Sequence, residues 1–241
     1  MCYSSQLVIQ VDDDFRKQNE RMARRLKKRW AEEAMNKWHY ANAFARPLWP
    51  VLTAEDPETF QDLQWGLVPT WAKDPDAFLK KAPTYNAVSG TAYDKPSFRG
   101  AMKHGHRCLI PVTGFYEWMH VGKVKYPHFI HLKSRELFFL AGIYENGTFS
   151  ILTCPANPLM AHIHNSKKRM PVILPQAEEE TWLKAGLTQE EVLALCRPYP
   201  DDDMEAWTVG RGITSRSADP NTPQAAVPVD YPELREAPRL P

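Results

Sequence analysis

Between Pro47 and Val172 the chain is broken by Pro and Gly into short apolar runs, among them WGLVPTW, HRCLIPVTGFYEWMH, YPHFIHL, ELFFLAGIYE, TFSILTCPA and RMPVILP. Runs of about five to eight aromatic, β-branched and aliphatic residues suit strands of a half-buried sheet. So many of them in succession predict a strongly bent, mainly antiparallel, barrel-like sheet. Cys2 to Val11 reads as a further strand that ends at Asp12-Asp13-Asp14, acids well placed at a helix start. From Phe15 to about Lys37, the residues Phe15, Met22, Leu26, Trp30 and Ala34 recur on one helical face. After Pro175, QAEEETWLKAGL and TQEEVLALC predict two short helices, the second opened by a capping box of Thr188 and Glu191. The fold class is therefore α+β, a single domain over 1–212 with the helix of about 12–37 as an insertion. A Pro-rich tail over 213–241 is expected to lie on the domain or to be partly disordered.

With 241 residues, 43% of them hydrophobic, the chain can bury one sizeable core. Its net charge of +1 supplies no global field for nucleic acid, so any such contact must come from local clusters. One cluster stands between Arg16 and Arg29, with eight Lys or Arg and a single acid. It is either a phosphate-contacting face or the solvated face of an amphipathic helix. The four cysteines lie far apart without CxxC spacing, which gives neither a zinc site nor a disulfide framework and points to a reduced, cytoplasmic protein. No signal-like or membrane-length apolar segment is visible, so no membrane association is expected. No cofactor or metal is expected either.

Cys2 is the first residue that carries special chemistry. Once Met1 is removed, it presents an amine and a thiol on one residue. An α-amine with a pKa of about 8 is partly neutral at pH 7 and can form a Schiff base with an aldehyde, after which the thiol can close a five-membered thiazolidine. Three other residues could serve such chemistry. Asn86 follows the aromatic Tyr85. Glu117 lies inside GFYEW, an apolar stretch that suits a general acid/base. His164, in IHNSKKRMP, could exchange a proton near neutrality.

These residues fall within blocks that resemble the SOS response-associated peptidase (SRAP) family: Cys2 itself, WGLVPTWAKD, YNA with KPSFR, RCLIPVTGFYEW, LTCPAN, and IH followed by RMPVILP. The blocks run in order over about 170 residues. The resemblance implies a protein that shields abasic sites in single-stranded DNA by a covalent thiazolidine link. It makes Cys2 the nucleophile, Asn86 a residue holding the N-terminus and substrate, Glu117 the proton-transfer residue and His164 a partner in opening the sugar ring. It also places Trp65, Trp71, Phe98 and Arg99 in DNA-facing blocks, the aromatic rings as stacking surfaces and Arg99 as a phosphate contact. Many members begin Cys-Gly-Arg and carry an Asn-Ala-Arg-x-Glu block, whereas this chain has Tyr3 and Ser4 after Cys2, and Val88 and Gly90 after Asn86. A three-residue enlargement adds Lys167 and Lys168 beside Arg169, which could relocate the phosphate contacts. The alternatives are an autoproteolytic thiol peptidase or amidohydrolase, and a non-catalytic single-stranded DNA binding module. A monomer is expected.

Overall fold

The computed structural model describes residues 2–8, 38–215 and 219–235. The basic helix expected over about 12–37 lies outside them. The architecture is α+β, as expected, and rests on two sheets. Strands β1 (Ser4–Leu7), β2 (Trp38–Asn42), β7 (Gly114–Val121), β8 (Val124–Leu132) and β12 (Met204–Thr208) form an antiparallel sheet in the order β12-β8-β7-β1-β2. The second sheet contains β3 (Leu48–Thr53), β4 (Gln61–Trp65), β6 (Arg107–Val112), β9 (Phe138–Glu145) and β10 (Thr148–Pro155). Its strands pair as β10-β4-β3-β6-β9, and β9 returns to β10, so the five close on themselves as a barrel. Closure removes the exposed strand edges that an open sheet would leave.

β10 holds this arrangement together by changing partners along its length. Thr148 to Ile151 pair with β9, and Thr148 and Phe149 also pair in parallel with β4. Farther on, Ile151 to Thr153 pair with β5 (Asn86–Val88), and Thr153 to Pro155 with β11 (Arg169–Pro171).

The sequence run HRCLIPVTGFYEWMH becomes two strands in different sheets. The chain leaves the barrel at Val112 and enters the other sheet at Gly114, turning at Thr113. Thr113 anchors that turn: its amide donates to the Gln6 carbonyl and its hydroxyl accepts from the Val8 amide. A Cβ at Gly114 would stand 2.2 Å from Cζ of Phe129, so the crossing tolerates only glycine there.

Seven short α-helices occur among the described residues: α1 (Pro75–Lys81), α2 (Ser89–Ala92), α3 (Arg99–Lys103), α4 (Pro158–Ile163), α5 (Glu179–Leu183), α6 (Gln189–Leu195) and α7 (Pro232–Arg235). The Thr188–Glu191 capping box forms at the start of α6, with both reciprocal bonds present. The described part of the Pro-rich tail packs on the five-stranded sheet. There the Asn221 Oδ1 accepts from the amides of His39 and Tyr40, the Trp207 indole donates to the Ala226 carbonyl, and the Arg211 guanidinium lies against the rings of both Tyr126 and Tyr231.

The core is rich in tryptophan, and each buried indole N–H finds a backbone carbonyl: Trp49 donates to Pro111, Trp65 to Tyr85 and Trp182 to Cys108. These bonds remove the cost of burying a polar group and tie distant segments together. All four cysteines are buried and free. Burial pushes the thiols of Cys2, Cys154 and Cys196 up to about 12 and that of Cys108 higher still. The folded protein thus keeps these protons over a range where the unfolded chain, with thiols at about 8.5, has lost them. Stability is then full below about pH 8.5 and falls as pH rises toward 12, each thiol removing up to about 1.4 kcal/mol per pH unit. Urea unfolding at pH 7.5 and pH 10 is expected to show a marked loss at the higher pH, and replacing Cys108 and Cys154 by Ala is expected to reduce the difference between the two.

Candidate active site

The sequence-predicted chemical residues come from separate elements: the charge of Glu117 is felt at Cys2 and His164, while Asn86 lies on β5 beside β10. Cys2 is fully buried just before β1. Its thiol donates to the Ser4 carbonyl at 3.6 Å and lies 3.7 Å from the Ser5 hydroxyl. Burial pushes this thiol up to about 12, and the negative charge of Glu117 pushes in the same direction. The resting side chain at neutral pH is therefore a thiol rather than a thiolate.

Glu117 sits on β7, one residue beyond Tyr116, which pairs with Ser4 of β1. Alternation along the strand turns Phe115 and Glu117 to the face opposite Tyr116, and the Glu117 carboxylate is buried. Its charge reaches Cys2, Tyr3 and His164, so one carboxylate serves all three.

His164 ends α4, whose start is fixed by Asn157 accepting from the Met160 amide and by Pro158 in the first turn. The His164 Nδ1 lies 2.7 Å from the Arg169 carbonyl, which fixes the ring proton on Nδ1 and makes Nε2 the acceptor side. Burial lowers its pKa, opposed by Glu117 and by the Arg169 carbonyl, so the ring is neutral at pH 7. Asn165 bridges this turn to the end of β7, accepting from the His120 amide and donating to the His120 carbonyl. The strand bearing Glu117 and the loop bearing His164 are thereby held to each other.

Asn86 opens β5, in register with Ile151 of β10. The residue is 9% exposed, yet its Oδ1 and Nδ2 are both buried and have no hydrogen-bond partner among the described residues. Orphaned polar atoms of this kind cost about 1–3 kcal/mol each, and here both polar atoms of one side chain are affected. The preceding Tyr85 meets Tyr3, the residue after Cys2, edge-on with ring centroids 6.3 Å apart. Gly66 makes room for Tyr85: it has a φ of 118°, and a Cβ there would be 3.0 Å from the Tyr85 ring.

The residues expected to face DNA divide. Trp65 is corrected by the structure. Its side chain is 1% exposed, its ring stacks on Phe149, and its indole bonds to Tyr85, because Leu63 and Trp65 share the inward face of β4. It holds the start of β5 and offers no face to a base. Trp71 is 58% exposed, with its ring edge-on to Phe78. Phe98 is half-buried against the core, while Arg99 is exposed at the start of α3. Lys167 and Lys168 are exposed on the turn after His164, where Lys168 takes a φ of 47°. Arg169 is half-buried, and its charge is felt by Tyr3 and His164.

The departures from the family blocks also have visible consequences. The Ser4 side chain points inward and donates to the Tyr40 hydroxyl, and a Cβ at Gly90 would meet nothing within 4 Å. Sequence reasoning missed Phe44, an isolated aromatic in ANAFARP whose turn is announced only by the Asn42 cap.

These features define a class: an α+β barrel protein that gathers a buried thiol, a carboxylate and a neutral imidazole at the seam of two sheets. The model of the SOS response associated peptidase (SRAP) family matches residues 10–216, and the chain belongs to that family. It is similar to the abasic site processing protein YoqW of Bacillus subtilis, 42% identical over 164 residues that make up 64% of this chain and 70% of that one. The abasic site processing protein HMCES of Gallus gallus is 31% identical over 199 residues, covering 70% of this chain and 57% of that protein. A crystal structure of a protein from Bacteroides thetaiotaomicron superimposes with a TM-score of 0.81 at 30% identity, covering 95% of this chain and 100% of the other. Among the described residues, no helix is long and apolar enough to cross a membrane.

The orphaned amide of Asn86 gives a direct test of whether this side chain serves the fold. Asn86→Leu, close in shape, is expected to leave the unfolding free energy within about 1 kcal/mol of the parent, or to raise it. A loss above about 2 kcal/mol in a denaturant titration would show instead that the fold depends on the amide.

Proposed function

We propose that this protein processes abasic sites, linking itself covalently to the aldehyde of an abasic deoxyribose in single-stranded DNA through Cys2 after Met1 is removed. The observation that carries this reading is the convergence of the Glu117 charge on Cys2 and His164, together with an Asn86 amide whose buried polar atoms have no partner among the described residues. Family membership and the names of the relatives support it.

The chemistry follows from the protonation states. Abasic deoxyribose is mainly a closed hemiacetal. His164, neutral and with Nδ1 engaged by the Arg169 carbonyl, takes the C1′ hydroxyl proton through Nε2 as the C1′–O4′ bond breaks. The same proton then passes, by way of the Glu117 carboxylate, to O4′. Because the thiol is protonated at neutral pH, the α-amine of Cys2 is the first nucleophile at the exposed aldehyde. The carbinolamine loses water to give an imine. The sulfur then adds to the imine carbon as the thiol proton passes, by way of Glu117, to the nitrogen, closing the thiazolidine. Amine, thiol and aldehyde are consumed and one water is released.

Phosphate contact falls to Arg99, Lys167, Lys168 and Arg169, which take over from the family Arg residues that Ser4 and Val88 replace; Trp71 offers a stacking face. The protein acts as a monomer, with the Pro-rich tail as part of the domain surface.

Incubation with single-stranded DNA containing one abasic site, followed by denaturing electrophoresis and mass spectrometry, tests the reading. The expected product has the mass of the Met1-free protein plus the DNA minus one water, and Cys2→Ala abolishes it. Cys2→Ser keeps the amine and is expected to give a band only when borohydride traps the imine. If wild type lacking Met1 gives no covalent band, the covalent reading fails and a binding module or a thiol amidohydrolase takes its place.

The neutral imidazole predicts a pH signature. The ratio of wild-type to His164→Gln single-turnover rates cancels the titration of the α-amine. Because burial lowers the His164 pKa, the ratio should fall toward acid pH as the ring gains its proton, at a lower pH than an ordinary histidine would produce. A ratio that does not change with pH would remove His164 from the proton-transfer steps.

A further inference from the structure

Three aromatic rings that the chemistry above does not use lie at the mouth of the site. Tyr3, directly after Cys2, packs on Phe44 with ring centroids 5.0 Å apart. Phe44 in turn meets Tyr85 at 5.1 Å, edge-on, and Tyr85 directly precedes Asn86. Tyr85 is buried and Tyr3 half-buried, but Phe44 is 61% exposed, a large apolar face held in the solvent.

The turn that presents it is built with care. Asn42 caps the short 3-10 turn Ala43–Ala45 by accepting from the Phe44 amide at 2.9 Å, and Arg46 closes the turn with a φ of 50°. The Ala43 amide donates to the Tyr3 carbonyl at 2.7 Å, which ties the turn to the segment leaving the nucleophile. Phe44 also borders an open groove of about 490 Å³ that runs past Arg46, Leu79, Lys80, Pro83 and Tyr85. Two cations, Arg46 and Lys80, face one carboxylate there, Asp76, which pairs with Arg46.

An exposed, rigidly held aromatic face beside a reactive residue, with net positive charge along the adjoining groove, has the two components that single-stranded nucleic acid requires: a plane for a base and cations for the backbone. We propose that Phe44, backed by Tyr3 and Tyr85, stacks the base of the nucleotide adjoining the abasic site, with the Arg46–Lys80 groove receiving its backbone. The site would then read whether its damaged position has an intact neighbour, and would prefer a purine there because a purine offers the larger stacking plane. Tyr3 stands where many family members have Gly, so the backing of this platform includes a departure particular to this chain. The inference rests on the reading of the site as directed at DNA.

The test is a series of single-stranded oligonucleotides, each with one abasic site whose two neighbours are adenine, thymine or base-free tetrahydrofuran residues, reacted at subsaturating concentration. Wild-type crosslinking is expected to fall in that order across a range of about tenfold, the size of one aromatic–base stack. Phe44→Ala is expected to collapse the series so that the three substrates react alike, and Phe44→Trp to keep the order. Circular dichroism confirms folding, which an exposed side chain should not disturb. Fluorescence anisotropy with the same flanks around an unreactive tetrahydrofuran site reads the stack without any chemistry. Graded binding without crosslinking would sink the covalent reading and leave the stack standing. Crosslinking and binding that ignore the flanks, or a Phe44→Ala loss equal for all three substrates, would overturn the stack alone.

Discussion

The pairing demands of β10 organise the molecule. A strand inside a protein must satisfy the amides and carbonyls on both of its edges, and β10 does so with four partners in sequence. Pairing with β4 and β9 closes the barrel. Pairing with β5 and β11 extends the sheet beyond the barrel wall and brings in the two segments that begin with Asn86 and Arg169. The scaffold and two sides of the candidate site are thus consequences of one strand's hydrogen bonding. Trp65 reinforces the arrangement from inside the core, since its indole holds the Tyr85 carbonyl at the point where β5 begins.

The second sheet supplies the rest of the site by a different device. At Thr113 and Gly114 the chain passes from barrel to sheet without a loop, so β7 begins beside β1 and carries Glu117 to the neighbourhood of Cys2. The same sheet is backed by the described part of the Pro-rich tail, through Asn221, Ala226 and Tyr231, whose ring meets Tyr126 and the Arg211 guanidinium. Burial on both faces explains how a thiol and a carboxylate come to lie in apolar surroundings at the sheet's inner side. Their chemistry then depends on partners that can move protons, because neither group is bathed in solvent.

Much of this was legible in the residues. Short strand-like runs announced the bent sheet, Thr188 and Glu191 announced their helix, and the ordered blocks around Cys2, Asn86, Glu117 and His164 announced the family. Trp65 was misread because an aromatic ring in a strand is equally suited to stacking on a ligand and to filling a core. Inward alternation with Leu63 decides for the core, and alternation has a direction only once the sheet's two faces are known. Phe44 escaped notice for the opposite reason: a single Phe between alanines reads as ordinary loop filling until the turn that exposes it is seen.

By itself, the sequence determined the class of fold, the likeness to a family and the identities of the chemical groups, because apolar periodicity and motif order are local properties written along the chain. The tertiary structure alone decided that the Cys2 thiol rests protonated, that His164 rests neutral with its Nδ1 held by Arg169, and that the Asn86 amide is buried without a partner. It alone decided, too, that Phe44 packs on Tyr3, the residue after Cys2. Those properties depend on burial and on distances between residues far apart in sequence, and no local pattern encodes them.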